Sequence, residues 1–221
     1  MEKAVVVLSG GLDSAVALAF ANNAGYQVSA LHVNYGQRTE LKELNSFNLI
    51  CGHFGVFERL VADIGYLKAI GGSSLTDGNI PIEKGGVDPS RIPSTYVPFR
   101  NTHLLSIAVS WAEVKGASKI FIGAVEEDSS GYPDCRKGYF EKFNELLAVA
   151  LVQKKVTVET PLIDLNKGDI VKLGIKLGVP FELTWSCYGE SEEACGVCDS
   201  CRLRLNGFKA AGVADPIRYA H

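Results

Sequence analysis

The chain has 221 residues, 47% of them hydrophobic, and a formal net charge of −3 at pH 7. That length supports one substantial core, or a core with a small appendage. It carries no polybasic tract of the kind that grips nucleic acid and no apolar run approaching the roughly 18 residues of a membrane span. Neither partner is therefore expected.

Met1-Glu2-Lys3 leads straight into an apolar β-type run over 4–8 rather than a signal sequence, so the expected location is the cytoplasm. Next come Ser9-Gly10-Gly11-Leu12-Asp13-Ser14 and a predicted helix over 14–24. A strand, a small-residue loop and a helix start thus meet at one point. Glycines let the backbone turn tightly and approach a ligand, and the helix start offers free N–H groups and a positive dipole end to an anion. Ser14 is placed to cap that helix. The loop lacks the Lys of a Walker A motif and the third spaced Gly of a dinucleotide fingerprint. S-G-G-x-D-S instead resembles the pyrophosphate loop of the N-type ATP pyrophosphatases, which split ATP between the α and β phosphates. Leu8, Ser9, Gly10, Gly11, Leu12, Asp13 and Ser14 are then the expected ATP-binding residues. The plainer reading is an ordinary strand-to-helix turn.

A second strand is predicted over 28–33, a helix over 39–54 and a third strand over 57–61. Between the first two lie Tyr35, Gln37 and Arg38, read either as a substrate or nucleotide contact or as a turn with a solvated Arg. Residues 63–95 hold six glycines and three prolines and read as a lid, a subunit contact or a surface excursion. Val97-Pro98-Phe99-Arg100-Asn101 precedes a predicted helix over 102–115. Arg100 suits a bidentate grip on carboxylate or phosphate, while Asn101 or Thr102 suits a helix cap.

A strand over 119–124 leads into a loop carrying Asp128, Tyr132, Asp134, Cys135 and Arg136, richer in charge and aromatic groups than a turn needs. Asp134 is suited to accept hydrogen bonds from an amidine-like base edge. A helix over 137–151, a strand over 156–160 and a helix over 166–177 follow. Lys167 stands at the start of that last helix, where a cation opposes the dipole, which points to a phosphate partner. Alternating strands and helices argue for an α/β fold, a parallel sheet with helices on both faces. Ligands in such sheets bind beyond the strand C-termini. The expected division is an α/β domain over 1–163 and a helical, metal-binding subdomain over 164–221.

Four of the six cysteines, Cys187, Cys195, Cys198 and Cys201, form C-x7-C-x2-C-x2-C. Four thiolates close a tetrahedral shell around a structural zinc ion, one per chain. An iron–sulfur cluster uses the same ligand number, and four unrelated buried cysteines are the plainer alternative. Cys51 reads as core.

Together S-G-G-L-D-S, Y-G-Q-R, V-P-F-R-N, D-S-S-G-Y-P-D-C-R and T-W-S-C-Y ending in C-G-V-C-D-S-C resemble the 7-cyano-7-deazaguanine synthases of the queuosine pathway. The resemblance runs over about 3–214. It implies an adenine nucleotide alpha hydrolase-like fold, a homodimer, and an ATP-dependent ligase that takes 7-carboxy-7-deazaguanine and ammonia to the nitrile. Adenylation makes a carboxylate oxygen leave as AMP, ammonia gives the amide, and a second adenylation gives the nitrile. Asp13, Ser14, Arg100 and Lys167 are expected to carry the chemistry. Tyr35, Gln37, Arg38, Asp128, Tyr132, Asp134 and Arg136 are expected to hold the substrate, with magnesium offsetting the ATP charge near Asp13. Phe99 departs from the family's frequent Gly, and its ring is expected to alter the local pocket. The alternative is a tRNA-modifying pyrophosphate-loop enzyme, a sulfur transferase or lysidine synthetase type, for which Cys135 would be the candidate persulfide carrier.

Overall fold

Side chains along a strand alternate between faces. In β1 (Lys3–Val7) both sets are apolar, so the strand is buried on both sides. Val5 and Val7 enter one core and Ala4 and Val6 the other. The computed structural model describes residues 1–83, 91–126, 131–152, 155–189 and 192–220. In it β1 pairs in parallel with β2 (Gln27–Asn34) on one side and β4 (Lys119–Ile122) on the other. β3 (Arg59–Asp63) and β5 (Thr157–Glu159) complete a parallel sheet of order β3-β2-β1-β4-β5. The chain runs outward from β1 to β3 and then returns past β1 to β4. The loops after β1 and β4 therefore diverge, and a crevice opens between them.

Helices cover both faces, as the alternation of elements predicts. α1 (Leu12–Asn23), α2 (Glu40–His53) and α6 (Lys167–Lys176) pack on one side with Phe208 of α7 (Asp199–Ala211). α3 (Tyr66–Ile70), α4 (Arg100–Lys115) and α5 (Lys137–Ala150) pack on the other. α1 is apolar nearly all round because it lies between the sheet and α6, and such a helix is stable only when covered on every side. Among the described residues, no helix is long and apolar enough to cross a membrane.

Several boundaries differ from the sequence reading. α1 begins at Leu12 with Gly11 as its cap, and Ser14 does not cap it. The Ser14 hydroxyl instead donates to the Gly11 carbonyl at 3.0 Å and hydrogen-bonds Ser9 Oγ at 3.1 Å. β3 lies two residues later than predicted, where its register against β2 matches. α7 was not foreseen, because the spacing of its cysteines outweighs its helical periodicity. Within 63–95, residues 84–90 lie outside the described residues. The remainder holds α3 and folds over the end of β2, where Arg38 N donates to the Leu75 carbonyl at 3.0 Å and Ser74 N to the Ser94 carbonyl at 2.8 Å.

Phe99 has φ +60°, the only non-glycine residue with positive φ among the described residues. Its ring is 58% exposed and packs edge-on to His103, so it does not enter the crevice, contrary to the sequence expectation. The position asks for glycine because of backbone handedness, not because of pocket space. Phe99→Gly is therefore expected to raise stability by about 1 kcal/mol, ~2–4 °C in thermal unfolding for a chain of this size, with turnover unchanged.

Candidate active site

The loop after β1 is clamped from three directions. Gly10 has φ +93°, and a Cβ there would stand 2.5 Å from the Glu43 carbonyl, so α2 presses directly on the loop. Gly123, just past β4, runs so close to α1 that a Cβ would stand 2.6 Å from the Asp13 carbonyl carbon and 2.7 Å from Ser14 N. From the far end of the chain, Trp185 N donates to the Gly10 carbonyl at 2.9 Å. The first N–H groups of α1, which have no intrahelical acceptors, thus sit on a loop held in place by three separate elements.

Lys167 opens α6 against the dipole, and its reason is Asp13. Its Nζ donates to both carboxylate oxygens at 2.9 Å, and its side chain is only 13% exposed. Asn166 Oδ1 caps the same helix by accepting from Asp169 N at 2.9 Å.

A cavity of about 280 Å³ opens at this edge, with an adjoining lobe of about 170 Å³ that Lys167 lines. Of the residues expected to bind ATP, all but Gly10 line the main cavity; Gly10 lies beneath, under α2. Tyr35, Gln37, Arg38, Arg100 and Tyr132 also reach it. Gln37 faces partly inward, taking Tyr35 N at 2.8 Å and donating to Glu43 Oε2 at 3.2 Å. Arg38 donates to the Ile80 and Asp77 carbonyls, which binds the 73–80 turn to the cavity rim. Asp134 is not brought to the cavity. Its carboxylate accepts Asn101 N at 3.0 Å, where it caps the start of α4. Arg136 is exposed, and Asp128 lies outside the described residues.

Arg100 is the dominant charge inside. Its Nη1 donates to Tyr35 OH at 3.1 Å, and among the described residues it makes no ion pair. Burial opposes its charge, but the Tyr35 and Tyr132 phenols, the Cys135 thiol and Asp134 offset that and hold its pKa above the ordinary value. Glu43 was missed by sequence reasoning. Burial raises its pKa, and Thr39 Oγ1 and Gln37 Nε2 hold its oxygens at 2.5 and 3.2 Å. Only the Thr39 to Glu43 spacing hinted that it shares a helix face with the loop. Cys135 accepts Asn101 Nδ2 at 3.3 Å, and burial first, then Asp134, pushes its thiol up to about 11. A persulfide carrier needs a thiolate, so this environment runs against the sulfur-transfer reading.

The segment flanking the first clustered cysteine supplies Trp185, Ser186 and Tyr188 to the same wall. Its motif was visible in the sequence, but its place in the site was not. The sulfurs of Cys187, Cys195, Cys198 and Cys201 all lie within 4.8 Å of one another. A tetrahedral Zn–S shell with bonds of about 2.3 Å has edges of about 3.8 Å, which this cluster fits. Gly189 N and Cys195 N donate to Cys187 Sγ at 3.2 and 3.3 Å, and Cys198 N to Cys195 Sγ at 3.3 Å. The two N–H···S contacts on Cys187 favour its thiolate, whose pKa is lowered. The group could hold a metal ion.

A family profile described as queuosine biosynthesis protein QueC matches residues 3–212. Among curated relatives, a 7-cyano-7-deazaguanine synthase of Chlorobium phaeobacteroides is 56% identical over 218 residues, 98% of this chain and 96% of that protein. One of Chlorobaculum parvum is 53% identical over the same shares. Among solved structures, a 4-thiouridine synthetase–RNA complex with bound ATP superposes with a TM-score of 0.53 at 17% identity. That match covers 99% of this chain and 47% of the other. NMN synthetase from Francisella tularensis gives 0.52 at 16% identity, covering 96% and 78%. At those identities the structural matches speak for the fold alone, the α/β architecture of the adenine nucleotide alpha hydrolases.

Proposed function

We infer the function from the family to which this chain belongs, the QueC queuosine biosynthesis proteins: it is an enzyme that makes 7-cyano-7-deazaguanine. Its substrates in this reading are 7-carboxy-7-deazaguanine, ammonia and ATP. The observation that carries the chemistry is Arg100, a cation lining the cavity. Its hydrogen bond goes to a phenol and it makes no ion pair among the described residues, with Asp134 acting on it only at longer range. A desolvated guanidinium with no anion is unfavourable unless a ligand supplies one, and its planar fork matches a carboxylate or phosphate.

A carboxylate oxygen leaves poorly, so the acid attacks the α phosphate and pyrophosphate departs. The α1 N–H groups and the Ser9 and Ser14 hydroxyls receive the phosphates. Lys167 balances the charge of Asp13 and of the leaving group. Ammonia then displaces AMP to give the amide. A second adenylation, on the amide oxygen, allows loss of AMP as the nitrile forms. Magnesium would neutralise the triphosphate, and the Asp13 oxygens are hard donors of the kind it takes. Zinc is the proposed occupant of the cysteine cluster, one per chain. Family resemblance supports a cytoplasmic homodimer that acts on small molecules without a nucleic-acid partner. The division near 163/164 is likewise proposed.

Product identity tests this reading. The acid, ammonia, ATP and magnesium should give the nitrile with AMP and pyrophosphate, seen by mass spectrometry and nucleotide chromatography. Release of ADP and phosphate would overturn it.

A further inference from the structure

One pocket must hold the reacting group twice in this scheme, first as a carboxylate and then as a carboxamide. The two differ in hydrogen-bond polarity. A carboxylate only accepts, whereas a carboxamide also presents two N–H donors. Arg100 only donates, so it suits the acid and offers nothing to the amide nitrogen. A fixed acceptor beside it would serve the amide and repel the acid. Hydroxyl groups avoid the conflict because each can donate or accept by rotating its proton.

Such hydroxyls surround Arg100. Tyr132 and Tyr188 line both lobes of the cavity beside it. Behind them, Thr95 Oγ1 and Tyr132 OH lie 2.6 Å apart, with either able to donate. Thr95 is 4% exposed and does not line the cavity, so its hydroxyl faces the phenol rather than the ligand. The Thr95–Tyr132 pair therefore has two polarities that differ only in rotor settings, and Tyr188, which lines the same lobes, adds a further rotating hydroxyl to the chain.

We propose that this hydroxyl chain lets one pocket accept the reacting group both as carboxylate and as carboxamide. Tyr188 is then a specificity-determining residue and Thr95 a positioning residue. With the acid bound, the chain points its protons toward the ligand. With the amide bound, it reverses and accepts from the amide N–H. The cluster of cysteines enters this account through Cys187, which fixes the neighbouring Tyr188 against the cavity. The proposal rests on the two-stage reading given above.

The test measures kcat/KM separately for the acid, with ammonia, and for the amide, without it. In Tyr188→Phe the value for the amide should fall about ten-fold further than that for the acid, the loss of one well-placed hydrogen bond. Free amide should then accumulate when the reaction starts from the acid. Thr95→Val should shift the ratio in the same direction by less, and Thr95→Ser should restore it. Zinc content and thermal unfolding establish that each variant is folded. Should Tyr188→Phe fail to fold, Tyr132→Phe, remote in sequence from the cysteines, is read the same way. Equal losses for acid and amide, a loss confined to the acid, or failure of Thr95→Ser to restore the ratio would overturn the proposal. A parent enzyme that converts neither compound would overturn the two-stage reading itself. A parent that converts both, with no discrimination among the variants, would overturn only the hydroxyl chain.

Discussion

Arg100→Met is expected to lower kcat/KM for the acid about 10³-fold while leaving thermal stability nearly unchanged. The activity loss follows from removing a cation proposed to hold the reacting group, a change on the order of 4 kcal/mol in transition-state stabilisation. The stability effect is small because the desolvation of the guanidinium is offset by Tyr35, Tyr132, Cys135 and Asp134 rather than by an ion pair. Methionine keeps much of the stem's packing and removes that burden. Arg100→Lys restores charge without the fork and should recover only part of the activity. Steady-state kinetics alongside thermal unfolding separate the two effects. A large fall in stability would mean that Arg100 is a structural residue and that its activity loss reports misfolding.

Arg204 should behave in the reverse way. Its side chain is 2% exposed and pairs bidentately with Asp215, 3% exposed, through Nε at 2.7 Å and Nη2 at 2.9 Å. The remaining N–H groups reach Thr184 Oγ1 at 2.6 Å, the Phe181 carbonyl at 3.0 Å and Ser186 Oγ at 3.4 Å, and Tyr219 OH donates to Asp215 at 2.6 Å. Every partner is buried or half-buried, so nothing replaces a lost member. Arg204→Met should destabilise by about 3–5 kcal/mol, the usual cost of stranding one member of a buried pair. That corresponds to ~10 °C or more in unfolding temperature. The double change Arg204→Met with Asp215→Leu should be more stable than Arg204→Met alone, since no buried charge is then orphaned. Activity should fall with the single change because the same guanidinium holds 181–186, whose Trp185 N anchors Gly10. A single variant as stable as the parent would contradict this role.

What the sequence made legible was the set of local signals. The hexapeptide after β1 marked the loop, and Lys167, placed against the dipole of its own helix, marked a charge partner. The sequence points to a phosphate in that place, whereas in the structure the partner is the Asp13 carboxylate, 154 residues away. The cysteine spacing marked the candidate metal cluster. Long-range uses of side chains were not legible. Asp134 looked free for a base edge because nothing local shows that α4 would present the N–H of Asn101 to it. Glu43 and Tyr188 looked ordinary because their places depend on α2 pressing on Gly10 and on Cys187 docking beside the cavity. Phe99 looked like a pocket residue, yet its φ of +60° points to the handedness of the turn.

The central claim, two adenylations at one site, is tested most directly by counting AMP against nitrile. Starting from the acid with ammonia, two AMP should appear for each nitrile formed. Starting from the amide without ammonia, one should appear. A ratio of one AMP per nitrile from the acid, or an amide that is not converted, would contradict the account.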